Sequence, residues 1–459
     1  MTTRTMPANL TTMAMAAGVL LGALYTLSPV TVLSIVGVLL VLWRFSSDLE
    51  PEERRWFLWI AGTAIVLRLA AIAVLFLTAG ADHPYSTFFG DEELFKSRPI
   101  WIRNIGLGVP ISAADFIYAY DDTGRSGYIF LLAILQAIFG DMPYSLHVLN
   151  AVVYVIGALI LHRLVRRSFG SLPAMLGLTV LLLLPSLFAW SISALKESMY
   201  VFLAAVELAC VVSIVRGRTL ARRVMAAIAV VLAGVMLEGL RRGGAQVVAI
   251  GAVGGLLAGW VVARPRLLLA AMVAAPLVFV GILQIPRVEA RALGVVRESV
   301  RYHAGHVMTA GYTYRLVEPH YYVDWPAMSK IGRAEGARFV SRALVHFVIE
   351  PVPWVQRSRA VLAYLPEQAL WWALLAMAPF GMAAGLKRDA LLTSVLLAHA
   401  AVIIVMVALT SGNIGTLIRH RGLALPYVVW VAALGGCWLL ERCSRPHTRI
   451  VESDADGNG

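Results

Sequence analysis

A run of three carboxylates, Asp91, Glu92 and Glu93, follows shortly after one of the most apolar parts of the chain. Carboxylates beside hydrocarbon are costly unless water, a metal ion or a substrate compensates their charge. Such a cluster can supply a general base for catalysis or ligands for a divalent cation. The alternative is structural, because acidic residues in the first turn of a helix stabilise its N-terminus.

Cations interrupt or terminate several apolar segments. The candidates for binding an anionic substrate are Arg419, His420, Arg421, Arg241, Arg242 and Lys196. The first three follow a Gly-Asn-Ile-Gly-Thr turn, whose backbone amides can also meet an anion. The alternatives are snorkelling of the arginine side chains to lipid phosphates and, for Lys196, pairing with Glu197 at a helix start.

Other polar residues indicate structure rather than chemistry. Arg68 lies in the middle of an apolar segment, which predicts an interior position and a structural partner. His303 and His306 are three residues apart and could ligate zinc on a helix, but no matching Cys or His accompanies them. We therefore expect a solvated histidine pair. The sequence contains no P-loop and no HExxH motif.

The composition sets the class of protein. Of 459 residues, 59% are hydrophobic and only 14% are charged, which excludes an ordinary soluble domain. Apolar stretches long enough to cross a bilayer recur along the chain and predict an all-α polytopic membrane protein with about twelve spans. The predicted spans are 10–27, 29–44, 56–79, 145–163, 173–190, 199–215, 224–239, 244–263, 267–284, 368–386, 390–410 and 423–440.

Basic residues assign the two faces of the membrane. Short loops rich in arginine and lysine fall on alternate sides of the spans, at 44–55, 163–167, 216–223, 264–266 and 387–388, and the tail 442–449 joins them. By the positive-inside rule this face and the N-terminus are cytoplasmic. The assignment requires that 127–139 does not cross, and at thirteen residues this segment predicts an interfacial or re-entrant helix.

These boundaries divide the chain into five parts. Residues 1–55 form an N-terminal hairpin with a cytoplasmic loop, and 56–284 form a transmembrane core. The core includes a first extracytoplasmic loop, 80–144, in which we expect juxtamembrane helices. Residues 285–367 form a basic extracytoplasmic loop. Residues 368–440 form the last transmembrane helices, and 441–459 form a cytoplasmic tail.

The order of motifs resembles the GT-C superfamily of membrane glycosyltransferases, which includes protein O-mannosyltransferases and aminoarabinose transferases. The matching pieces are Arg68, Asp91-Glu92, Gly127-Tyr128, His147 to Asn150 and PSLFAWSISALKE at 185–197. The resemblance covers 60–200 well and the remainder mainly by layout. Two features depart from it: the hairpin 10–44 precedes the first family helix, and Ile129 stands where many members have proline.

The C-terminal segment NIGTLIRHRGLALP, residues 413–426, resembles bacterial polysaccharide-assembly membrane proteins, including O-antigen polymerases and ligases. Together the resemblances imply a bacterial inner-membrane enzyme that transfers a sugar from a polyprenyl-phosphate-linked donor. The acceptor would be an envelope lipid, glycan or protein on the extracytoplasmic face. Asp91 would be the catalytic base and Glu92 the second choice, or a ligand of Mg²⁺ or Mn²⁺. The cations would bind the departing phosphate.

Other function classes remain open at this point. A flippase or transporter, or a polymerase for lipid-linked saccharides, would handle the same substrates, and a non-catalytic assembly subunit would have the same topology. A transporter predicts internal repeats and polar residues at the membrane midplane, whereas the polar residues identified here gather at one face. Membrane lipid is an expected partner and nucleic acid is not. No motif specifies the sugar or the oligomeric state.

Overall fold

The computed structural model describes residues 12–19, 22, 28–79, 91–121, 126–140, 144–355 and 359–444. Within these ranges the chain is almost entirely helical, and its one extended contact is an isolated antiparallel bridge between Thr313 and Asn413. This confirms the all-α prediction. Half of the predicted first span, 10–27, lies outside the described residues; within it, residues 12–19 are helical.

Eighteen described helices carry the fold. They are α1 Pro29–Ser46, α2 Pro51–Leu77, α3 Glu92–Gly106, α4 Ala113–Ala119, α5 Gly127–Phe139, α6 Ser145–Phe169, α7 Ser171–Leu183, α8 Pro185–Ser191, α9 Glu197–Arg216, α10 Leu220–Leu240, α11 Gly244–Val262, α12 Pro265–Leu283, α13 Pro286–Val307, α14 Arg333–Ile349, α15 Arg359–Arg388, α16 Ala390–Thr410, α17 Ile414–Arg421 and α18 Leu425–Cys443. Two short 3₁₀ turns, Pro319–Tyr322 and Trp325–Lys330, lie between α13 and α14.

Nine helices in the described ranges are long and apolar enough to cross a bilayer, and two bent helix pairs raise the number to as many as eleven. A multi-pass membrane protein is therefore confirmed, whereas a count of twelve is not. The helix α5 has the thirteen residues predicted for 127–139 and is shorter than the candidate spans. The predicted loops 80–144 and 285–367 contain helices α3 to α5 and α13 to α14, respectively.

Four of the loops predicted to share one membrane face do meet at one end of the bundle. Ion pairs and a hydrogen bond connect them: Arg163 with Asp48, Arg166 with Glu53, Arg216 with Asp389, and Arg388 with the Phe169 carbonyl. We call this the basic end. The helix α9 ends there at Arg216, so its first residue, Glu197, lies toward the opposite end of the bundle. The assignment of the basic end to the cytoplasm stays a prediction.

The predicted span 173–190 is broken into α7 and α8, whose axes meet at 62°. Pro185 begins α8 and has no backbone N–H, so the carbonyl of Leu181 loses its helical partner. An unpaired carbonyl at membrane depth costs several kcal/mol. The Tyr154 hydroxyl on α6 donates a hydrogen bond to this carbonyl at 2.6 Å. A side chain thus replaces the bond that proline removes.

Arg68, near the middle of α2, stabilises the same break. Its Nη2 donates to the carbonyl of Leu182 at 2.8 Å, and its Nη1 donates to the carbonyl of Ala64 at 3.0 Å. Its Nε donates to the Ser191 hydroxyl at 2.8 Å, just past the end of the break. Arg68 is 1% exposed. The arginine therefore has the interior position and structural partners that the sequence indicated.

Tyr154→Phe tests whether Tyr154 stabilises this break. The substitution keeps the ring but leaves the Leu181 carbonyl without a donor, so we expect the free energy of unfolding to fall by about 1–3 kcal/mol. Unfolding in detergent gives the measurement. The matched control is Tyr302→Phe, because Tyr302 is 54% exposed and its variant should change stability by about 0.5 kcal/mol or less. Equal stability of the two variants would contradict the proposed role of Tyr154.

Candidate functional site

The backbone between α8 and α9, residues 192–196, has little regular helical bonding and is held by side chains from other helices. We call it the anchored segment. The Glu92 carboxylate accepts from the Ala194 backbone N–H at 2.8 Å. The Asn150 side-chain amide donates to the carbonyls of Ser193 and Leu195 at 2.7 and 2.9 Å. His147 Nδ1 lies 2.7 Å from the Ile192 carbonyl. These contacts fix the start of α9.

Two neighbouring contacts position α5 beside the anchored segment. The Asn150 amide also donates to the Tyr128 hydroxyl at 2.9 Å, so one side chain joins α5 to the segment. At the start of α5, a Cβ on Gly127 would lie 3.1 Å from the carbonyl oxygen of Gly239 in α10. Glycine is needed there because the two backbones approach closely. The motif residues Glu92, His147 and Asn150 therefore bond directly to one short piece of backbone, and Tyr128 joins it through Asn150.

A cavity of about 960 Å³ opens at the end of the bundle away from the basic end. It is formed by the starts of α3, α9 and α17, the cap of α10 and the end of α13. Its charged and polar lining consists of Asp91, Lys196, Glu197, Arg241, His306, Thr309, Asn413, Thr416, Arg419 and His420. Four of the six predicted substrate-binding residues and the first-choice catalytic carboxylate thus share one cavity.

Arg419 connects the two carboxylates of this cavity. Its Nη1 donates to Asp91 Oδ2 at 2.6 Å, and its Nε donates to Glu197 Oε1 at 2.9 Å. The Glu197 side chain is 7% exposed, whereas that of Asp91 is 61% exposed. Glu197 therefore binds the guanidinium from the protein interior, and Asp91 binds it from the solvent-exposed side. The role of Glu197 was not predicted beyond its pairing with Lys196.

Lys196 and Arg241 are, with Arg419, the Lys and Arg residues that line this cavity. Burial lowers the pKa of Lys196, and the neighbouring Glu197 carboxylate partly offsets this effect. Burial also lowers the pKa of Arg241, again opposed by Glu197. Arg241 Nη2 lies 3.2 Å from His420 Nε2. The three cations and Glu197 thus belong to one electrostatically coupled group.

A second compartment of about 710 Å³ adjoins the first. The two share the side chains of Phe95, Lys196, Arg241, His306 and His420 as a common wall. The second compartment adds Glu238, Arg242 and Tyr302. Arg242, the fifth of the predicted substrate-binding residues, therefore lines this compartment rather than the first. Two adjoining compartments with a shared cationic wall can hold two reactants side by side.

Arg421, the last of the predicted substrate-binding residues, does not line either compartment. It is 2% exposed and donates to the carbonyls of Phe347 and Glu350, both at 2.6 Å, and to Gln368 Oε1 at 2.9 Å. Successive residues of a helix point about 100° apart, so Arg419 and Arg421 face different surroundings. Arg421 holds α14 and α15 to α17 in this structure. The sequence prediction for Arg421 does not agree with this position.

Backbone amides of the turn before α17 also have hydrogen-bond partners within the protein. Asn413 Oδ1 accepts from the backbone N–H of Gly415 at 2.8 Å and of Thr416 at 3.4 Å. This is an ordinary N-cap, which satisfies the first free amides of the helix. The amides of Gly415 and Thr416 are therefore bonded within the turn, and that of Ile414 donates to the Tyr312 carbonyl.

The histidines of α13 dock the 285–367 region onto the end of α16. His303 Nδ1 lies 2.6 Å from the Ser411 carbonyl, and His306 Nδ1 lies 2.7 Å from the Thr410 carbonyl. His303 is fully buried, and burial lowers its pKa to about 4, so it is neutral near pH 7. The expectation of a solvated pair is wrong for His303. The i, i+3 spacing was a usable signal, because it places both rings on one helix face.

Glu92 fits an anchoring role better than a metal site. Its side chain is fully buried and accepts from a backbone N–H. Across the described ranges, no group of three or more His, Cys, Asp or Glu residues could hold a metal ion. The predicted Mg²⁺ or Mn²⁺ ligation by Glu92 stays a prediction, and the reaction proposed below uses no metal.

No family model matches the chain, and no curated protein or solved structure matches it either. The class of the protein is therefore defined by its own geometry. It is a multi-pass helical membrane protein with a polar, two-compartment cavity at one end of the bundle.

Glu92→Ala and Asp91→Asn separate the anchoring carboxylate from the exposed one. Glu92→Ala leaves the Ala194 N–H unpaired, so we expect the free energy of unfolding to fall by about 1–3 kcal/mol. Asp91→Asn removes an ion pair with one exposed partner and should cost about 1 kcal/mol or less. Hydrogen exchange should show faster exchange of the anchored segment in Glu92→Ala alone. Faster exchange of that segment in both variants would contradict this division of roles.

Proposed function

We propose that this protein is an integral-membrane glycosyltransferase. It transfers a sugar from a polyprenyl-phosphate-linked donor to an envelope lipid, glycan or protein at the extracytoplasmic face of a bacterial inner membrane. The observation that supports this proposal most directly is the contact between Asp91 and Arg419 in a cavity opposite the basic end. One group can accept a proton there and the other can bind a phosphate.

The proposed reaction is a direct displacement at C1 of the donor sugar. The acceptor hydroxyl attacks C1, a new C–O bond forms, and the bond between C1 and the phosphate oxygen breaks. Asp91 takes the acceptor proton, and the polyprenyl phosphate leaves with the bonding electron pair. Arg419, Lys196 and Arg241 stabilise the negative charge on the leaving phosphate, as cations do in phosphoryl-group recognition.

The Asp91–Arg419 contact has to open for this reaction. In this structure Asp91 Oδ2 accepts a hydrogen bond from Arg419 Nη1, so this oxygen is not available to the proton of an acceptor hydroxyl. A donor phosphate that takes the place of Asp91 at Arg419 Nη1 releases the carboxylate for proton transfer. Glu197 still holds the Nε side of the same guanidinium. Donor binding would therefore both position Arg419 and activate Asp91.

Three further features support a lipid-linked donor. The volume of the larger compartment lies in the range of small-molecule sites. Nucleotide sugars are made in the cytoplasm and do not cross the bilayer unaided, so a cavity on the outer face needs a donor that has already been flipped. The GT-C-like motif residues also converge on the anchored segment, which ends at Lys196 in the cavity wall.

A donor panel tests the reaction class. Purified full-length protein in lipid nanodiscs is incubated with radiolabelled polyprenyl-phosphate, polyprenyl-diphosphate and nucleotide sugars, together with extracted envelope acceptors. We expect product from a lipid-linked donor alone. Transfer from nucleotide sugars alone would overturn both the topology and the reaction. Movement of a lipid-linked sugar across liposomes without bond cleavage would favour the flippase alternative.

Asp91→Asn tests the base. We expect sugar transfer to fall by about 100-fold or more, because general-base catalysis typically contributes that much. The matched control is Asp115→Asn on α4, whose carboxylate, among the described residues, bonds to the nearby Ser112 and lies outside the cavity. The control should retain wild-type activity. Normal glycan output from Asp91→Asn in a strain lacking the wild-type protein would remove Asp91 from the catalytic role.

Arg419→Gln and Arg421→Gln form a matched pair two residues apart. Arg419→Gln should raise the KM for the lipid-linked donor by about tenfold to 100-fold, since a charge-assisted hydrogen bond to phosphate is lost. Arg421→Gln should instead lower the free energy of unfolding by about 3 kcal/mol or more, because it removes a buried cation with three acceptors. Steady-state kinetics and detergent unfolding measure the two effects. A raised KM in Arg421→Gln together with a loss of stability in Arg419→Gln would contradict the cavity-facing role of Arg419.

A further inference from the structure

A second ionisable group of side chains lies away from the cavity, in the interior of the bundle. Glu207 is near the midpoint of α9, and His399 is near the midpoint of α16. Both side chains are fully buried. Ionisable residues at this depth in a membrane protein are costly and usually have a function. The proposed sugar transfer uses neither of them.

The contact between the two side chains constrains their protons. His399 Nε2 lies 3.2 Å from Glu207 Oε2, without the alignment of a hydrogen bond. His399 Nδ1 lies 2.8 Å from the Val395 carbonyl, which can only accept, so Nδ1 carries a hydrogen. Within the described part of the chain, neither carboxylate oxygen of Glu207 has a hydrogen-bond donor. A second proton on this pair, besides the one on Nδ1, must therefore lie in the contact between His399 Nε2 and Glu207 Oε2.

Three arrangements of that proton can be compared. With no proton, the Nε2 lone pair faces an uncompensated carboxylate, which costs several kcal/mol in a dry interior. With the proton on His399, an ion pair forms, but a buried ion pair needs further hydrogen bonds to its oxygens. Glu207 lacks these among the described residues. With the proton on Glu207, both side chains are neutral, and Nε2 can accept from the carboxylic acid after a small rotation.

We propose that Glu207 and His399 form an intramembrane proton-binding site, in which one proton lies between Glu207 Oε2 and His399 Nε2 and both side chains are neutral. The site does not depend on the proposed sugar transfer.

The groups around the pair favour a neutral, closely packed state. On α18, the Tyr427 ring stacks on His399 with centroids 5.4 Å apart, and it lies within electrostatic range of Glu207. On α9, Cys210 and Tyr200 are the other titratable residues near Glu207. On α11, Gly251 leaves room for the imidazole, since a Cβ there would lie 2.4 Å from the ring. No charged side chain is among these neighbours.

Loss of the proton would act on the cavity through two helices. The helix α9 begins at Glu197 in the cavity wall, and α16 ends at Thr410, whose carbonyl bonds to His306 of the same wall. A bare Glu207 carboxylate would draw water between α9 and α16 and separate them. Proton occupancy of the site therefore sets how closely the two cavity walls approach.

Glu207→Gln provides the test. Its amide N–H can donate to His399 Nε2, so the variant copies the neutral pair without the titratable proton. In the wild type, the unfolded chain loses the pair's proton above about pH 6.5 while the folded chain keeps it, so the unfolding equilibrium constant should rise by up to tenfold per pH unit. The sign follows because the unfolded state then binds fewer protons. Glu207→Gln should lack this component.

Infrared spectra of the full-length protein in nanodiscs supply a second readout. With glutamate-specific ¹³C labelling, we expect a carboxylic acid C=O band at neutral pH that is lost in Glu207→Gln and shifted in His399→Gln. Cys210→Ala, three residues along the same helix, is the matched control and should retain both the band and the wild-type pH dependence. Equal pH dependence in the wild type and Glu207→Gln would overturn the proposal. So would a wild-type spectrum without a protonated-glutamate band, whether or not the variants fold.

Discussion

The need to satisfy the backbone polar groups of one interrupted span governs the rest of this structure. A helix that breaks at membrane depth exposes carbonyls and amides where no water is available. Here the break at Pro185 and the irregular residues 192–196 receive partners from Arg68, Tyr154, Asn150 and Glu92. These side chains come from α2, α6 and the start of α3. The same bonds that stabilise the break therefore also fix where α9 begins and where Lys196 and Glu197 lie.

Much of the fold follows from the sequence, because the length of an apolar run and the positions of basic loops are local properties. Each predicted span from 29 onward coincides with a described helix, or with part of a bent pair, and the basic loops meet at one end. The bends themselves were not predicted. Pro185 signalled a break, but its angle depends on Arg68 and Tyr154, which are distant in sequence.

The site could be predicted only in part, for a physical reason. In both Asp91-Glu92 and Arg419-His420-Arg421, neighbouring residues of the same charge point in different directions, and the sequence does not say which one faces a cavity. Asp91 and Arg419 face it, whereas Glu92 and Arg421 bond to backbone inside the bundle. Glu207 and His399 were overlooked because their significance comes from helix packing across a long separation in sequence. A single ionisable residue in an apolar helix indicates an interior position but does not identify its partner.

The pairing of Arg419 with Asp91 and Glu197 has a consequence for selectivity against small solutes. Three cations and two carboxylates line the larger compartment, so the empty site carries little excess positive charge. A free inorganic anion gains little from entering, because it must displace an internal counter-ion without any other source of affinity. A phosphate attached to a membrane-embedded chain arrives at a high effective concentration and can make that exchange. In the proposed transferase, the internal ion pair would thus favour ligands delivered by the bilayer over those dissolved beside it.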